Sequence, residues 1–375
     1  LLVFILICVL FLGSNPVDRV LAGYDGRDFT LDQRLLTQTR IIFHYLSLLI
    51  LPLPSRLNLA YDFQLSTGLL APLQTLAAVM GLAGLTGLGF FLFRRDRLAA
   101  FAVFWFFGSL LVESTVIPLE LIFEHRMYMP AMFIILAAAA WFYRLSGAKP
   151  HRARLALVII AVLFSVFTWQ RNSVWQNEIS IWTDVVKKAP GSMRAYKNLG
   201  TAYSKAGMFE KAEKYLLMAI KIGRNDTDPN YSSDHMQRKL ASAHHNLGIV
   251  YRSLHNMPGA LAQTRRALQL NPERPDSLTS LGIIYAGMGK HREAYDSYRQ
   301  AAAMGYETVD LFNNWAVSSF QLGKTDESIS LLRLAINLDP DHAESHYNLG
   351  IAYSSKGMLQ EAQREMAKAM QLQNK

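Results

Sequence analysis

The sequence predicts an all-α protein, with a multi-span transmembrane helical part followed by an α-solenoid. Two observations support this fold class. Several apolar runs of about 16 to 22 residues lie before residue 171, and a 34-residue period begins after residue 192. A helix needs about 20 apolar residues to cross a bilayer, whereas self-similarity at a fixed period of roughly 20 to 50 residues indicates stacked helical repeats. We therefore expect a membrane part at residues 1–174 and a repeat array at residues 193–375.

The membrane part contains one incomplete apolar run and four complete ones. The first, about residues 1–12, has no basic region ahead of it and resembles the second half of a span, so we expect the sequence to lack its true N-terminus. Residues 41–54 are too short to cross the membrane and end at prolines, which indicates a helix lying in the interface. The complete spans are predicted at about residues 72–93, 98–117, 129–146 and 155–170.

The charges of the connections predict which side of the membrane each connection faces. Cytoplasmic loops carry an excess of lysine and arginine. Two connections are rich in these residues: Arg94, Arg95 and Arg97 in the first, and Arg144, Lys149, Arg152 and Arg154 in the third. The connection between them is acidic, so it is predicted to face the outer side. Residues 13–71 and everything after residue 170 then lie on that outer side as well.

From residue 193 onward, one pattern of small and large residues returns five times. Its clearest marker is a Leu-Gly pair followed by a tyrosine, as in Leu199-Gly200 with Tyr203, and the fourth copy is degenerate. This is the tetratricopeptide pattern, in which small residues let two antiparallel helices pack closely. The repeats are predicted to start at 193, 241, 275, 309 and 343, with an insertion at 227–240 and a half-repeat connector at 175–192.

Composition excludes several classes of function. The net charge of +9 is spread along the chain without a long basic run, so we predict no nucleic-acid partner and ascribe the charge to cytoplasmic loops and a solvated repeat surface. A single cysteine, Cys8, allows no disulfide within the chain and no cysteine metal site. No ligand spacing of histidine, cysteine and carboxylate is evident, so we expect no metal site. No glycine loop for phosphate and no nucleophile elbow is present either.

The acidic connection holds the strongest candidate site. Its residues are Glu113, Glu120, Glu124, His125 and Arg126. Ionisable groups packed against membrane spans are costly and mark functional sites by default, and arginine offers planar, bidentate donors to a phosphate. We therefore expect Arg126 and His125 to hold a phosphate while a carboxylate holds a hydroxyl or a base. The alternative interpretation is that the glutamates pair with Arg126 and only fix the loop.

A second candidate site lies in the repeats. Asparagine recurs just before the Leu-Gly pair or its equivalent, at Asn198, Asn246, Asn314 and Asn348. This position faces the concave surface of the array, where an amide can bond both the N–H and the C=O of an extended peptide. The alternative is that asparagine is simply common at this position in such repeats.

Two stretches resemble one known family. The first is Glu124, Arg126, Tyr128 and Pro130, and the second is the loop of residues 61–66, Tyr-Asp-Phe-Gln-Leu-Ser. Together with the order of spans and repeats, they resemble the transmembrane and tetratricopeptide-repeat O-mannosyltransferases and their bacterial relatives. The resemblance covers the whole chain but only the C-terminal part of such an enzyme.

The resemblance implies a polyprenol-dependent glycosyltransferase of the GT-C fold. Such an enzyme would move a sugar, mannose in this family, from a polyprenyl-phosphate donor to a protein held near the repeats. The family's catalytic acid lies in the first outer loop, which we expect ahead of Leu1, so no catalytic residue is assigned and no cofactor beyond the donor substrate is predicted. The candidates for donor or lipid-phosphate binding are Glu113, Glu120, Glu124, His125, Arg126, Tyr128, Tyr61 and Asp62.

A second class of function stays open at this point. The spans could merely tether a peptide-binding array, as a non-enzymatic scaffold of the cell envelope. Under either hypothesis the partners are membrane lipid and a protein or peptide in the groove. Compact loops favour a bacterial inner membrane with the array on the periplasmic side, and the alternative is the endoplasmic reticulum membrane with lumenal repeats.

Overall fold

The computed structural model describes residues 15–373 apart from 25–26, 28, 62, 112, 148–149 and 226–232. Within these residues every regular element is a helix, as predicted. The described residues fall into two compact units. The first comprises residues up to 195 together with 233–235, and the second comprises residues 196–225 and 236–373.

In the described residues the first unit contains four long helices and three shorter ones. Its helices are α1 (Pro16–Ala22), α2 (Leu31–Ile50), α3 (Gln74–Leu92), α4 (Arg97–Leu110), α5 (Tyr128–Leu145), α6 (Pro150–Asn172) and α7 (Glu178–Lys188). Two 3₁₀ turns, Glu124–Met127 and Ser173–Gln176, precede α5 and α7. The apolar core joins α2 and α4 through residues such as Ile41, Tyr45 and Phe106.

Two predicted elements have different bounds in the structure. The apolar run 41–54 is only the second half of α2, because Thr30 and Gln33 form a capping box that starts the helix at Leu31. The predicted span 98–117 is helical only from Arg97 to Leu110. Beyond Leu110 four backbone carbonyls, those of Glu113, Thr115, Leu119 and Leu121, accept hydrogen bonds from side chains of α2. Residues 113–127, which we call the connecting segment, link α4 to α5 without a regular α-helix.

Among the residues that the structure describes, three stretches are long and apolar enough to cross a membrane: Gln74–Leu92, Glu124–Leu145 and His151–Gln176. Arg97–Leu110 is apolar but shorter. These four correspond to the spans predicted from residue 72 to residue 170, and the predicted run at 1–12 lies outside the described residues. The helices α4 and α5 are antiparallel, since Arg144 at the end of α5 pairs with Asp96 just before α4, at 2.6 Å between Nη1 and Oδ2.

The second unit is a series of helical hairpins. Its helices are α8 (Met193–Lys205), α9 (Phe209–Asn225), α10 (Ser233–Ser253), α11 (Met257–Leu270), α12 (Pro275–Gly287), α13 (His291–Ala303), α14 (Val309–Gln321), α15 (Thr325–Leu338), α16 (Ala343–Ser355) and α17 (Leu359–Gln373). Four of the five first helices begin where the sequence period starts. The helix α8 begins just before the boundary of the unit, and its remaining residues belong to the array.

In three hairpins of the second unit a glycine of the first helix packs against a large residue of the second helix, and in the hairpin of α10 and α11 Gly248 faces Thr264. Gly200 faces Leu216, and Gly282 faces the ring of Tyr298. Residues 233–240 of the predicted insertion at 227–240 are helical, because α10 begins at Ser233 and is 21 residues long, against 13 for α12; residues 227–232 lie outside the described residues. The connector predicted at 175–192 forms α7, which belongs to the first unit.

Candidate functional site

The connecting segment is held by the buried side chain of Arg34. Its Nε donates to the carbonyl of Thr115 at 2.8 Å and its Nη2 to the carbonyl of Glu113 at 2.6 Å, while Nη1 donates to the carbonyl of Leu119. Arg34 is 0% exposed, and burial lowers the pKa of its guanidinium to about 10. The guanidinium therefore stays charged at neutral pH, and the dipoles of the three backbone carbonyls stabilise its charge.

Two further side chains of α2 continue this anchoring. Gln38 Nε2 donates to the carbonyl of Leu121 at 3.0 Å, and the backbone N–H of Phe123 donates to the Tyr45 hydroxyl at 3.0 Å. Positions 34, 38 and 45 lie on one face of a helix because their spacings are four and seven residues. We call Arg34, Gln38 and Tyr45 the anchoring face. Sequence reasoning missed it, although a polar stripe inside an apolar helix was visible as a signal.

Arg126 lies inside the fold rather than at the surface. Its side chain is 5% exposed, and its Nε lies 3.0 Å from Oε2 of Glu113. Its Nη1 donates to the backbone carbonyl of Glu120 at 2.6 Å, and the guanidinium lies over the ring of Phe123 at 5.0 Å from the centroid. Arg126 thus closes the connecting segment on itself, joining its beginning, middle and end.

The exposed charges of this region centre on the Glu120 carboxylate. Its Oε1 lies 3.2 Å from Arg27 Nη1 and 3.3 Å from Arg194 Nη1. The three side chains are 31% to 51% exposed, so solvent reaches all of them. Two guanidinium groups share one carboxylate, which leaves an excess positive charge at the surface. We call Arg27, Glu120 and Arg194 the arginine pair site.

Glu124 belongs to a different network from the other two glutamates. Its Oε1 accepts a hydrogen bond from the Tyr61 hydroxyl at 3.0 Å, and its Oε2 lies 3.7 Å from Arg171 Nη2. Arg171 Nη1 also lies 2.9 Å from Oδ2 of Asp184. Burial, followed by the nearby Glu124 charge, raises the pKa of the Tyr61 hydroxyl, which therefore stays protonated and donates.

Lys188 completes this second network. Its Nζ lies 2.6 Å from Oδ2 of Asp184 and donates to the carbonyls of Pro54 and Leu57 at 2.7 Å each. The contacts join α7 to the loop that follows α2. Arg171, Asp184 and Lys188 were not predicted as part of the site, because this group is joined to it by contacts between distant parts of the sequence, from Arg171 to Glu124 and from Lys188 to the carbonyls of Pro54 and Leu57.

The other predicted residues are placed differently. His125 is exposed and stacks on Phe123 with ring centroids 5.1 Å apart, and Tyr128 is 81% exposed. Asp62 lies outside the described residues. The structure therefore brings Glu113, Glu120 and Arg126 together. It separates Glu124 and Tyr61 from them, and it leaves His125 and Tyr128 at the surface.

The four predicted groove asparagines lie on the first helices of their repeats. Asn246 Nδ2 donates to Thr201 Oγ1 at 2.9 Å, and Asn348 Nδ2 donates to Asn313 Oδ1 at 3.0 Å. Asn314 Nδ2 donates to the carbonyl of Asp310 at 2.8 Å, within its own helix. Asn198 is half-buried on α8. Two of the four amides therefore link the first helices of neighbouring repeats.

Metal-binding groups do not cluster in the part of the chain that the structure describes. No set of three or more histidine, cysteine, aspartate or glutamate side chains there has the arrangement of a metal site. The two networks described above offer guanidinium, ammonium, carboxylate and phenol groups.

Comparison with family models identifies the repeats. Models described as tetratricopeptide repeat match residues 195–229, 277–309 and 343–375, and a model described as TPR repeat matches residues 318–357. The protein is therefore a TPR-repeat protein in its second unit. A solved structure described as YrrB, a TPR protein with an unusual peptide-binding site, covers 52% of this chain and 92% of its own, at 20% identity and a TM-score of 0.39.

Comparison with characterised proteins gives distant similarity to O-mannosyltransferases. Protein O-mannosyl-transferase TMTC3 of Mus musculus is 25% identical over 249 residues, which is 61% of this chain and 25% of that protein. The chain thus spans about a quarter of the length of this relative. Protein KINESIN LIGHT CHAIN-RELATED 3 of Arabidopsis thaliana is 23% identical over 46% of this chain. Residues 193–375 are about half of the chain, so the match to TMTC3 must extend into the helices before the array.

Proposed function

We propose that the chain is the C-terminal part of an integral-membrane glycosyltransferase-like protein that uses a polyprenyl-phosphate sugar donor. Its outer-face TPR array would recruit a protein acceptor. The observation that carries the proposal is the similarity to O-mannosyltransferases, which is too long to be explained by the repeats alone. The arginine pair site adds a chemical reason, since it offers cations to a phosphate at one end of two apolar helices.

The membrane placement follows from the apolar helices and from the basic residues at their ends. α3, α5 and α6 are long and apolar enough to cross, and the arginine-rich connections after α3 and α5 favour the cytoplasmic side. The connecting segment, α7 and the array then lie outside. We propose a bacterial inner membrane with a periplasmic array, with a lumenal array in the endoplasmic reticulum as the alternative.

We assign the donor phosphate to the arginine pair site rather than to Arg126 alone. Arg27 and Arg194 are partly exposed and share a single carboxylate, so their guanidinium groups can turn to a phosphate in bidentate geometry. Arg126 and Glu113 hold the segment on which Glu120 lies. His125 and Tyr128 are exposed and lie close to Arg126 in the sequence. We propose them as additional contacts to the headgroup or sugar.

The array supplies the acceptor side of the proposal. TPR solenoids present extended concave surfaces that bind proteins or peptides. Asn198, Asn246, Asn314 and Asn348 lie on the first helices of their repeats, and a side-chain amide is able to bond both the N–H and the C=O of an extended peptide. The acceptor would therefore be an extended polypeptide segment.

The test is transfer from polyprenyl-phosphate mannose to protein, measured in membranes that contain the full-length protein. The double variant Arg27→Gln/Arg194→Gln removes both exposed guanidinium groups, and we expect transfer to fall about tenfold or more, since each charge-assisted hydrogen bond contributes on the order of 1.5–3 kcal/mol. The matched control, Arg292→Gln/Arg299→Gln, makes the same charge change on an exposed helix of the array and should leave transfer intact. Equal activity of the two double variants would overturn the donor site.

A non-enzymatic scaffold remains the second candidate, and one observation favours it. Arg126 is buried, and its guanidinium already bonds the Glu113 carboxylate and the Glu120 carbonyl. These contacts are expected if Arg126 only fixes the conformation of the connecting segment. The partner of Arg126 is thus Glu113 and not Glu124. Under this hypothesis no transfer from polyprenyl-phosphate sugars is detected in the full-length protein, while the array still binds a polypeptide.

A further inference from the structure

A cavity lies between the apolar helices, away from the connecting segment. Its volume is about 500 Å³, and its walls come from α3, α4 and α5 together with Leu46 of α2. The wall residues are almost all leucine, alanine, valine, phenylalanine and tryptophan. The two polar ones are Asp96 and Arg144, which form an ion pair at 2.6 Å. The cavity is therefore an apolar slot with one charged end.

The shape of the slot fits a hydrocarbon chain. Along α4 the wall runs from Leu98 to Phe107, and along α5 from Ile134 to Arg144. At a rise of about 1.5 Å per residue, each wall is roughly 14–15 Å long. A volume in the range of about 300–1,000 Å³ is that of a small-molecule site. One extended acyl chain fills such a slot better than a compact ligand would.

The charged end of the slot carries an excess of arginine. Arg94, Arg95 and Arg97 flank Asp96 in the chain and are exposed, and the Arg144 side chain is 61% exposed. Three exposed arginines thus flank Asp96 in the chain and a fourth, Arg144, pairs with it, and arginine binds phosphate in bidentate geometry. This charge complementarity argues for an anionic headgroup at the mouth, with its chain in the slot.

This site is separate from the one proposed for the sugar donor. In the antiparallel pair α4 and α5, Asp96 and Arg144 lie at one end, whereas Glu113 and Arg126 lie at the other. The 18 residues of α5 span about 27 Å, close to the thickness of a bilayer's hydrocarbon core. A headgroup at Arg144 and one at the connecting segment would therefore lie in opposite leaflets.

We propose that this slot binds one chain of an anionic phospholipid from the leaflet that faces the arginine-rich connections, with the phosphate held by Arg144 and its neighbouring arginines. The proposal rests on the membrane placement proposed above. The other possible occupant is a further helix of the full-length protein, and the test below distinguishes that helix from a lipid chain.

Trp141 lines the slot and provides the readout. The full chain is reconstituted into phosphatidylcholine vesicles that contain phosphatidylglycerol with brominated chains, or brominated phosphatidylcholine at the same fraction. The emission of Trp141, obtained as the difference from Trp141→Phe, should be quenched preferentially by the brominated phosphatidylglycerol. Arg144→Gln should reduce this preference about fivefold, the effect of one arginine on anionic-lipid attraction.

Two matched controls make the result specific. Arg152→Gln removes a charge on the same side of the membrane but outside the slot, and it should keep the preference. Ala138→Phe fills the slot and should abolish quenching by chains within it, while Leu136→Phe, on an exposed position outside the walls, should not. Equal quenching by both lipids, or equal effects of Arg144→Gln and Arg152→Gln, would overturn the proposal.

The remaining outcomes separate this proposal from the membrane placement. If neither brominated lipid quenches Trp141 while the protein resists alkaline carbonate extraction, another helix occupies the slot and the lipid proposal fails alone. If carbonate releases the protein from membranes, the membrane placement fails, and the lipid site fails with it.

Discussion

The repeat array and the helical unit before it bury different kinds of side chain. In the array, buried contacts pair small residues with large ones, as Gly282 pairs with Tyr298. In the first unit the buried groups include the guanidinium groups of Arg34, Arg126 and Arg171, which bond backbone carbonyls and carboxylates. The array thus depends on close packing of small against large side chains, whereas the first unit adds to its apolar core polar bonds between segments that are far apart in sequence.

This difference predicts which substitutions destabilise each unit most. A guanidinium that bonds three buried carbonyls cannot be replaced without leaving those carbonyls unpaired, and each unpaired group costs about 1–3 kcal/mol. A small residue at a helix crossing fails by overlap instead, at a cost of about 1–3 kcal/mol that depends on how far the neighbour can move. The following variants test this contrast.

Replacing Arg34 should have the largest effect. Arg34→Met keeps the length of the side chain but leaves the carbonyls of Glu113, Thr115 and Leu119 without their donor. We expect a loss of about 3–5 kcal/mol, the range for breaking a buried charged contact. Thermal unfolding in detergent measures it. Arg40→Met is the control on the same helix: its guanidinium bonds Gln64 and Ser66 closer to solvent, so it should cost about 1 kcal/mol.

The array contains a buried histidine whose lowered pKa should make the stability of the array depend on pH. Burial lowers the pKa of His245 to about 4, against about 6.5 for an exposed histidine. Between these values the unfolded chain binds a proton that the folded chain does not, so protons favour unfolding. The stabilisation is complete above pH 6.5 and decreases as the pH falls towards 4, by about 3 kcal/mol in total.

The measurement is unfolding of the array between pH 7 and pH 4.5, followed by circular dichroism. His245→Asn keeps a polar partner for Ser277, whose Oγ lies 2.9 Å from His245 Nδ1, and should weaken the pH dependence; the part that remains is expected from His244, whose pKa burial also lowers. His255→Asn, at an exposed position, should leave it unchanged. A variant with the same acid sensitivity as the native protein would show that His245 is not the sensor.

Gly282 tests packing by shape. A Cβ at this position would meet Cδ1 and Cζ of Tyr298 at 2.7 Å, and Tyr298 is fully buried. We expect Gly282→Ala to destabilise the array by about 2 kcal/mol, because the ring has little room to move. At Gly287, on the same helix, the added Cβ would meet only Met257 Cε at 3.5 Å, so Gly287→Ala should be tolerated. Equal melting temperatures for both variants would contradict close packing at Gly282.

The same contrast explains what the sequence predicted and what it did not. Gly200 and Gly282 recur at a fixed offset because every hairpin has the same close crossing, so the period alone locates them. Arg34 occurs once, and its partners lie 79 to 85 residues away, so the polar stripe on α2 marks the residue but no local pattern identifies what it bonds. Composition marked the charged cluster. Which of its charged side chains pair with each other could be seen only in the folded structure, because Arg126 contacts Glu113 although Glu124 is nearer in sequence.

Substituting a surface charge of the array should have the smallest effect. Lys356 Nζ pairs with Oδ1 of Asp326, but the Asp326 side chain is 83% exposed. Exposed pairs contribute only a few tenths of a kcal/mol, because water screens the attraction and ordering two flexible side chains opposes it. We therefore expect Asp326→Asn to change unfolding by less than about 0.5 kcal/mol and its effect to vanish at high salt. A loss near that of Arg34→Met would mean that charge supports the array as it supports the first unit, and the contrast between the two units would not hold.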